Sequence, residues 1–440
     1  MLTRREGPIV LAAAALLVAA ALLGLQHGPV RIVSAGNAAA DTARRPDLSG
    51  RNAGVVAPSA TPGLPPAVLE RQSGPPVVPP PMGWNGYNHF HLGVTAAIVE
   101  AEARALVRSG MKSAGYDYVN LDGGWDLPAR APDGSLQADP AKFPSGIAPV
   151  AAYVHSLGLK FGIYTSAGLE NCAHSSAGSY GHYQHDAATF AAWGVDFLKL
   201  DWCVIPYAEF PGQTHRQVSM MLAREMEVAL HDTGRPILLD VNDWARSSST
   251  GWARGLATMW RVAPDIQDTY RSLVGNFIRD ADLAGTARPG GWNDPDMLEV
   301  GNGAMSTAAY QAQMSLWAEL AAPLIAGNDL TQMTPETQAI LTNAAVIRVD
   351  RDPLGVQGSP VSVRDGHWVL TKPLADGSRA VVLFNATALT ATITSTTADV
   401  GLRAPATYRL QDLWTGATSL THGPITAVVP PYGAVMFRIS

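Results

Sequence analysis

The chain has 440 residues, of which 47% are hydrophobic and 15% are charged, and its formal net charge is −6 at pH 7. A chain of this length can bury more than one core, so one large domain with a smaller one is expected. The mild acidity argues against a nucleic-acid partner, which requires a basic face to neutralise phosphates.

Residues 1–40 have the pattern of an export signal. A short basic segment precedes an uncharged apolar run from Ile9 to Leu25, and small residues follow. This pattern favours a signal peptide and a secreted or extracytoplasmic protein. The run also falls within the lower range for a membrane span, so an uncleaved anchor that tethers the protein to a membrane is the alternative. Residues 41–80, rich in Pro and Ala, predict an extended linker.

From residue 82 onward, short β-rich runs alternate with longer helical patterns, which is typical of βα units around a parallel sheet. Eight strands are predicted, near 82–85, 116–122, 158–164, 195–201, 236–241, 257–261, 292–298 and 323–327. Helices are predicted at 95–113, 147–157, 183–193, 215–232, 266–284, 306–320 and 334–347. Residues 81–350 therefore predict an α/β domain of the (β/α)8 TIM barrel type. An open doubly wound sheet is the alternative, but no phosphate-binding Gly motif follows the first strand.

Residues 351–440 have a different pattern. Short β-branched runs such as RAVVLFNAT and LTATITSTT are separated by Gly, Asp and Pro. This spacing of strands and turns predicts a C-terminal antiparallel β-sandwich. Its expected role is structural, because no cluster of exposed aromatic residues indicates a sugar-binding surface.

Polar side chains follow the predicted strands of the barrel. The active site of this fold lies at the carboxyl ends of the strands, so polar residues there indicate function. Those ends carry mainly acids, with aromatic and basic residues beside them: Trp84, Asp122, Tyr164, Asp201, Asp243, Arg261, Asp265 and Asp296. Carboxylates bind sugar hydroxyls and aromatic rings pack on the apolar face of a pyranose, so we expect an oligo- or polysaccharide partner.

Asp201 ends the predicted strand VDFLKLD. The alternation of a strand places Phe197, Lys199 and Asp201 on one face, which we expect to point into the barrel. A neighbouring lysine favours the ionised carboxylate, and a retaining glycosidase needs an ionised carboxylate as its nucleophile. A salt bridge at the barrel mouth is the structural alternative. A carbohydrate-binding protein without catalytic activity is the alternative in function.

Cys172 and Cys203 are the two cysteines of the chain. In an exported protein such a pair suggests a disulfide, with two buried free thiols as the alternative. Two cysteines cannot form a structural zinc site, and the spacing of His89 and His91 does not place two ligands on one helical face. We predict no metal and no cofactor. The oligomeric state is not indicated by the sequence.

Six ordered motifs carry a resemblance to a known family. They are MGWNGYNHF (82–90), YVNLDGGW (118–125), LKFGIYTSAGLENCA (159–173), WGVDFLKLDWC (193–203), WRVAPDIQD (260–268) and GGWNDPDMLEVGNG (290–303). Together they resemble glycoside hydrolase family 27, which holds α-galactosidases and α-N-acetylgalactosaminidases, with isomaltodextranases and β-L-arabinopyranosidases as rarer members. The resemblance extends from about 80 to 440.

The resemblance implies that Asp201 is the nucleophile and Asp265 the acid/base of a retaining enzyme. The two carboxyl groups are then expected about 5 to 5.5 Å apart. It also implies substrate-binding roles for the residues around them. Trp84 and Tyr164 would shape the sugar pocket, Asp122 and Lys199 would bind hydroxyls, Arg261 would lie near the 2-hydroxyl, and Asp296 and Met297 would close the site. Cys172 and Cys203 fall on the family's disulfide.

Two departures from the family pattern bear on the sugar. Galactosidases of the family usually carry two consecutive acids where this chain has Asp122 and Gly123, and the missing carboxylate normally contacts the O4/O6 side of galactose. Asp243 stands where galactosidases place a Glu near the 2-hydroxyl, and an acid there argues against N-acetylgalactosamine. We therefore expect an exo-acting α-galactosidase, with an isomaltodextranase-like α-1,6-glucan hydrolase as the alternative.

Overall fold

The structure is a computed structural model that describes residues 78–243, 247–403 and 406–440. The predicted export signal or anchor, and nearly all of the predicted linker, lie outside the described residues. Among the described residues, no helix is both long and apolar enough to cross a membrane.

Eight parallel strands form one curled sheet, as the sequence predicts. Each strand pairs with the next along the chain from β1 to β7, and β1 also pairs with β8. The circle closes just beyond β7, where Leu298 bridges Ala326 and exchanges backbone hydrogen bonds with Ile325 and Gly327. The strands are β1 (Met82–Asn85), β2 (Tyr118–Leu121), β3 (Lys160–Ser166), β4 (Phe197–Asp201), β5 (Leu238–Asn242), β6 (Met259–Arg261), β7 (Trp292–Asp294) and β8 (Leu324–Ala326).

Ten α-helices occur among the described residues, most of them on the outside of this sheet. They are α1 (Tyr87–Phe90), α2 (Ala96–Arg108), α3 (Met111–Ala114), α4 (Ala148–Ser156), α5 (Tyr183–Trp193), α6 (His215–Asp232), α7 (Tyr270–Ala281), α8 (Thr307–Leu320), α9 (Pro335–Leu341) and α10 (Ala344–Asp350). Short 3₁₀ turns occupy His91–Gly93, Tyr207–Glu209, Ser249–Gly251 and Leu330–Gln332.

Two of the predicted helices are each divided into two. The helix predicted over 95–113 is interrupted at Gly110, whose φ of 84° leaves the right-handed helical region. The helix predicted over 334–347 stops at Leu341, and Asn343 caps a new helix by accepting hydrogen bonds from two backbone amides. Both breaks depend on single residues with strong local preferences, Gly for positive φ and Asn for capping.

The C-terminal strands form the predicted antiparallel sandwich. A six-stranded sheet in the order β14-β13-β16-β11-β10-β9 faces the two-stranded sheet β12-β15. A core that includes Val381, Leu383 and Ile425 lies between them. The strands are β9 (Ser359–Arg364), β10 (His367–Pro373), β11 (Arg379–Asn385), β12 (Ala391–Thr396), β13 (Tyr408–Asp412), β14 (Thr418–Thr421), β15 (Pro424–Val429) and β16 (Ala434–Ile439).

The sandwich packs on the barrel through a buried lysine as well as through apolar side chains. Lys372 of β10 is 0% exposed, and its Nζ donates to the backbone oxygen of Ala318 at 3.0 Å and to that of Asp350 at 3.4 Å. The carboxyl groups of Glu319 and Asp350 are buried beside it and lower the cost of burying its charge. Trp414 Nε1 of the sandwich donates to Ser315 Oγ of α8 at 2.9 Å.

Candidate active site

The carboxyl ends of the barrel strands surround a cavity of about 50 Å³. Eight of the predicted catalytic and substrate-binding residues line it, namely Asp122, Tyr164, Lys199, Asp201, Arg261, Asp265, Asp296 and Met297. They come from five different strand ends, which the closed sheet brings together although they span more than 170 positions of the chain. The expectation that strand-end polar residues converge is therefore met for these eight.

Asp201 is the last residue of β4 and sits in register with Ser166 of β3 and Asn242 of β5. Its Oδ1 accepts a hydrogen bond from the Trp202 backbone amide at 3.1 Å. Burial raises the pKa of the Asp201 carboxyl, and the Lys199 ammonium opposes that rise. The lysine therefore favours the ionised form that a nucleophilic carboxylate requires.

Lys199 lies two residues before Asp201 on the same face of β4. Its Nζ is 2.8 Å from Asp122 Oδ2 and lies over the Tyr164 ring, 5.5 Å from the ring centroid. Burial alone would lower the pKa of Lys199, but the carboxylates of Asp122 and Asp201 raise it. The ammonium is therefore charged and held at the cavity wall, where it can donate to a sugar hydroxyl.

Asp122 is fixed by three donors. Its Oδ2 accepts from Asn85 Nδ2 at 2.7 Å as well as from Lys199, and its Oδ1 accepts from the Gly123 amide at 2.7 Å. A carboxylate with this many donors keeps one orientation, which is what a hydroxyl-binding residue needs.

Arg261 connects three acids on the other side of the cavity. Its Nη1 donates to Asp265 Oδ1 at 2.7 Å, its Nη2 lies 2.8 Å from Asp296 Oδ1, and its Nε lies 3.4 Å from Asp294 Oδ2. The arginine lowers the pKa of the Asp265 carboxyl. Burial raises the pKa of Asp296 to about 6, although Arg261 opposes that rise.

Asp265 differs from the other acids of the cavity in its exposure. Its side chain is 81% exposed, whereas those of Asp122 and Asp296 are 5% and 3% exposed. A carboxyl group at the open mouth of a cavity is accessible to the departing group of a substrate and to water, so its place suits a proton donor and acceptor.

The two cysteines form a disulfide beside the nucleophile candidate, and their Cα atoms are 5.0 Å apart. Cys172 lines the cavity, and its amide donates to Tyr164 Oη at 3.4 Å. In the described part of the chain, Cys172, Asp201 and Cys203 form the one cluster of three side chains with metal-ligating atoms within 4.8 Å of one another. Because both sulfurs belong to the disulfide, neither is a thiolate ligand.

Two predicted substrate-binding residues do not line the cavity. Trp84 is 0% exposed, and its Nε1 donates to the backbone oxygen of Asn328 at 2.8 Å, so it packs within the barrel. Asp243 is buried and accepts a hydrogen bond from Ser247 Oγ. The sequence prediction placed both by their position at a strand end, but neither is among the residues that line the cavity.

Tyr87 takes the position at the cavity that the sequence prediction assigned to Trp84. It begins the one-turn helix α1 just after β1, and its ring lies 6.0 Å from Lys199 Nζ, so the ammonium faces two tyrosine rings. Burial raises the pKa of Tyr87, and the nearby Asp122 carboxylate raises it further, so its hydroxyl remains a donor. The neighbouring Asn88 also lines the cavity.

Acids, cations and aromatic rings at the mouth of a (β/α)8 barrel are typical of a glycoside hydrolase. A family model described as alpha galactosidase A matches residues 80–352, and a model of the alpha galactosidase C-terminal beta sandwich domain matches residues 364–439. The chain belongs to this α-galactosidase family, glycoside hydrolase family 27, as its motifs predict.

Individual relatives agree with this assignment. A probable alpha-galactosidase of Dictyostelium discoideum is 40% identical over 369 residues, which cover 82% of this chain and 92% of that protein. The crystal structure of alpha-galactosidase I from Mortierella vinacea is 32% identical, has a TM-score of 0.79, and is matched over 82% of this chain and 96% of its own. An alpha-galactosidase from Saccharomyces cerevisiae, solved with raffinose, is 25% identical with a TM-score of 0.76 over 82% and 97% of the two chains.

Proposed function

We propose that this glycoside hydrolase is a retaining, exo-acting α-galactosidase that removes terminal α-D-galactose from oligosaccharides. The observation that carries the proposal is the placement of Asp201 and Asp265 on one small cavity, with Lys199 and Arg261 beside them. The α-galactosidase relatives support the choice of sugar. Neither an α-1,6-glucan hydrolase nor a sugar-binding protein without activity has comparable support.

The reaction proceeds in two displacements. In the first, Asp201 attacks the anomeric carbon while the protonated Asp265 gives its proton to the glycosidic oxygen, so the C–O bond breaks and the aglycone leaves as an alcohol. In the second, Asp265 removes a proton from water, which attacks the same carbon and releases Asp201 as a carboxylate. Two inversions restore the α configuration.

The pKa directions of the two carboxyl groups run opposite to these roles. Burial raises the pKa of Asp201, whereas Arg261 lowers the pKa of Asp265. A sugar 2-hydroxyl that accepts from Arg261 would draw the guanidinium away from Asp265, and the bound substrate would exclude water around it. Both changes favour the proton on Asp265, so we expect substrate binding to set the productive protonation state.

The exo-acting mode follows from the shape of the site. The cavity is small and its inner wall consists of side chains from the closed barrel, while Asp265 lies at its open end. A terminal sugar can enter with its anomeric carbon toward the mouth, and the rest of the substrate then remains outside. Raffinose, the ligand of the Saccharomyces cerevisiae structure, has such a terminal galactose and is our first candidate substrate.

The test is hydrolysis of p-nitrophenyl α-galactoside, raffinose and dextran by the purified protein. We expect release of galactose from the first two, and proton NMR should detect the α-anomer of galactose before the β-anomer. Hydrolysis of dextran alone would contradict the sugar assignment, and initial release of the β-anomer would contradict the roles of Asp201 and Asp265. Absence of any turnover would favour the binding-protein alternative.

We also propose that the protein is exported. The basic start and the apolar run from Ile9 to Leu25 support this, since both are features of a signal peptide. N-terminal sequencing of the protein from culture medium and from membranes tests the proposal. A shortened chain in the medium indicates cleavage, a full-length chain in the membrane indicates an anchor, and a full-length chain in the cytoplasm contradicts export.

A further inference from the structure

The acid/base candidate Asp265 lies in a segment without regular secondary structure. Residues 262–269 connect β6 to α7 and contain neither helix nor strand. The Asp265 side chain is largely exposed and contacts Arg261. Its position relative to a glycosidic oxygen therefore depends on how the backbone on either side of it is held.

Three hydrogen bonds hold that backbone. Asn276 Nδ2 of α7 donates to the Pro264 carbonyl at 2.9 Å, before Asp265. After Asp265, the Ile266 amide donates to Asp296 Oδ2 at 2.7 Å, and the Ile266 carbonyl accepts from Asn88 Nδ2 at 3.3 Å. The first comes from Asn276, which is close in sequence, and the second goes to Asp296, which also contacts Arg261. The third comes from the opposite end of the barrel sequence, 178 positions away.

Asn88 is in turn oriented by a buried acid. Its Nδ2 also donates to Glu299 Oε1, so each of its two N–H groups meets an acceptor. Glu299 is 1% exposed, and its Oε2 accepts from Asn302 Nδ2 at 2.6 Å. The Glu299 carboxylate accepts hydrogen bonds from both side-chain amides and so fixes the orientation of each. If the Asn88 amide were flipped, its oxygen would face two acceptor oxygens.

Nothing in the chemistry proposed above needs Glu299, and burying a carboxyl group is costly. Burial raises its pKa to about 7. The hydrogen bonds from Asn88 and Asn302 offset part of this cost, and the first of them leads through Asn88 to the residue after Asp265.

We infer that Asn88 and Glu299 are positioning residues for the acid/base Asp265, acting through the Ile266 carbonyl. This inference rests on the proposed function. Asn88 anchors the segment to the end of β1, and Glu299 anchors Asn88 to the segment after β7. Loss of either contact would allow Asp265 to move from the leaving oxygen while Asp201 keeps its place at the end of β4.

Two substrates with different leaving groups distinguish the positioning of Asp265 by Asn88 and Glu299 from a general structural role of these residues. Raffinose releases sucrose, whose departing oxygen must be protonated, whereas 2,4-dinitrophenyl α-galactoside releases a phenolate that is stable enough to leave almost without a proton. The ratio kcat/KM reports formation of the galactosyl-enzyme, for which only raffinose depends on Asp265 as an acid. Hydrolysis of the galactosyl-enzyme needs Asp265 as a base for both substrates.

We therefore expect Asn88→Ala to lower kcat/KM for raffinose by about tenfold or more, since general acid catalysis contributes about 10² to 10⁴. For the dinitrophenyl substrate, kcat/KM should change less than about threefold. The kcat and KM for the dinitrophenyl substrate should fall together, because hydrolysis of the galactosyl-enzyme slows and this intermediate accumulates. Glu299→Gln, which keeps the volume of the side chain but offers only one oxygen, should show the same pattern with a smaller loss.

Glu102→Gln is the matched control, because Glu102 is a buried acid that accepts from the Leu330 amide and does not line the cavity. It should leave both substrates unchanged. Equal losses on both substrates, or no loss on either, in folded Asn88→Ala and Glu299→Gln proteins would overturn the inference. Failure of the wild-type protein to hydrolyse either galactoside would contradict the proposed function instead.

Discussion

Replacing Gly123 by Asp adds a carboxylate at the cavity position where galactosidases of the family usually have one. The site has room for it. A Cβ built on Gly123 would lie 3.5 Å from Tyr164 Cε1 and 3.6 Å from its Cδ1, which is ordinary van der Waals contact. The φ of Gly123 also lies outside the positive range that disfavours side chains. The substitution should therefore be accommodated without moving the tyrosine ring.

The expected gain is in discrimination between galactose and glucose, which differ at O4. A hydrogen bond from a sugar hydroxyl to a carboxylate contributes about 1 to 3 kcal/mol. Since about 1.4 kcal/mol is a tenfold change, the ratio of kcat/KM for p-nitrophenyl α-galactoside to that for the α-glucoside should rise about 5- to 150-fold. The added negative charge would also raise the pKa of Asp201, but that penalty applies to both substrates and cancels in the ratio.

Gly123→Ala is the matched control, because it introduces the same Cβ contact with Tyr164 without the carboxylate. The assay is initial-rate hydrolysis of the two p-nitrophenyl glycosides by all three proteins. If the galactoside-to-glucoside ratio of kcat/KM is unchanged in Gly123→Asp, or changes equally in Gly123→Ala, the reasoning that a side chain at this position contacts the O4/O6 side of the sugar is refuted.

Three further predictions concern catalysis and stability. Asp201→Ala should lower raffinose hydrolysis by at least about 10³-fold, and turnover within tenfold of wild type in the folded variant would exclude Asp201 as nucleophile. Cys172→Ser with Cys203→Ser should lower the free energy of unfolding by about 3 to 4 kcal/mol, because the disulfide spans 31 positions; urea denaturation measures it, and an unchanged midpoint would contradict the estimate. Burial raises the pKa of Glu102 to about 8, so the folded state retains its proton and stability falls as pH rises from about 4.5 toward 8. Glu102→Gln should reduce the loss of melting temperature between pH 5 and pH 8, and an equal or larger loss would refute this.

The strands of the barrel could be predicted because each is a short apolar run ended by polar residues. All eight predicted strands overlap observed ones, and the strand-end rule brought Asp122, Lys199, Asp201 and Arg261 to one cavity. These residues lie on or directly beside the hydrogen-bonded ladder, where the period of two fixes the direction of the side chain.

The rule failed for two residues. Trp84 is a paired residue of β1 and is packed in the interior, whereas Tyr87, three positions later on the helical turn that follows the strand, reaches the cavity. Asp243 follows β5, where the loop begins and its backbone direction is no longer set by pairing. The contact between Asn88 and Glu299 joins residues 211 positions apart, and neither residue type signals the other in the sequence.

The buried Lys372 has a consequence for the chain as a folding unit. In the intact protein burial raises the pKa of the carboxyl groups of Glu319 and Asp350, both on helices of the barrel, and the charge of Lys372 lowers it. A barrel cut off before the sandwich would leave those two acids without Lys372 and would expose Phe277, whose ring packs against Trp368 and Phe384 of the sandwich. The catalytic barrel is therefore not a module that can be moved alone into another protein, because part of its electrostatic balance is encoded in the strands that follow it.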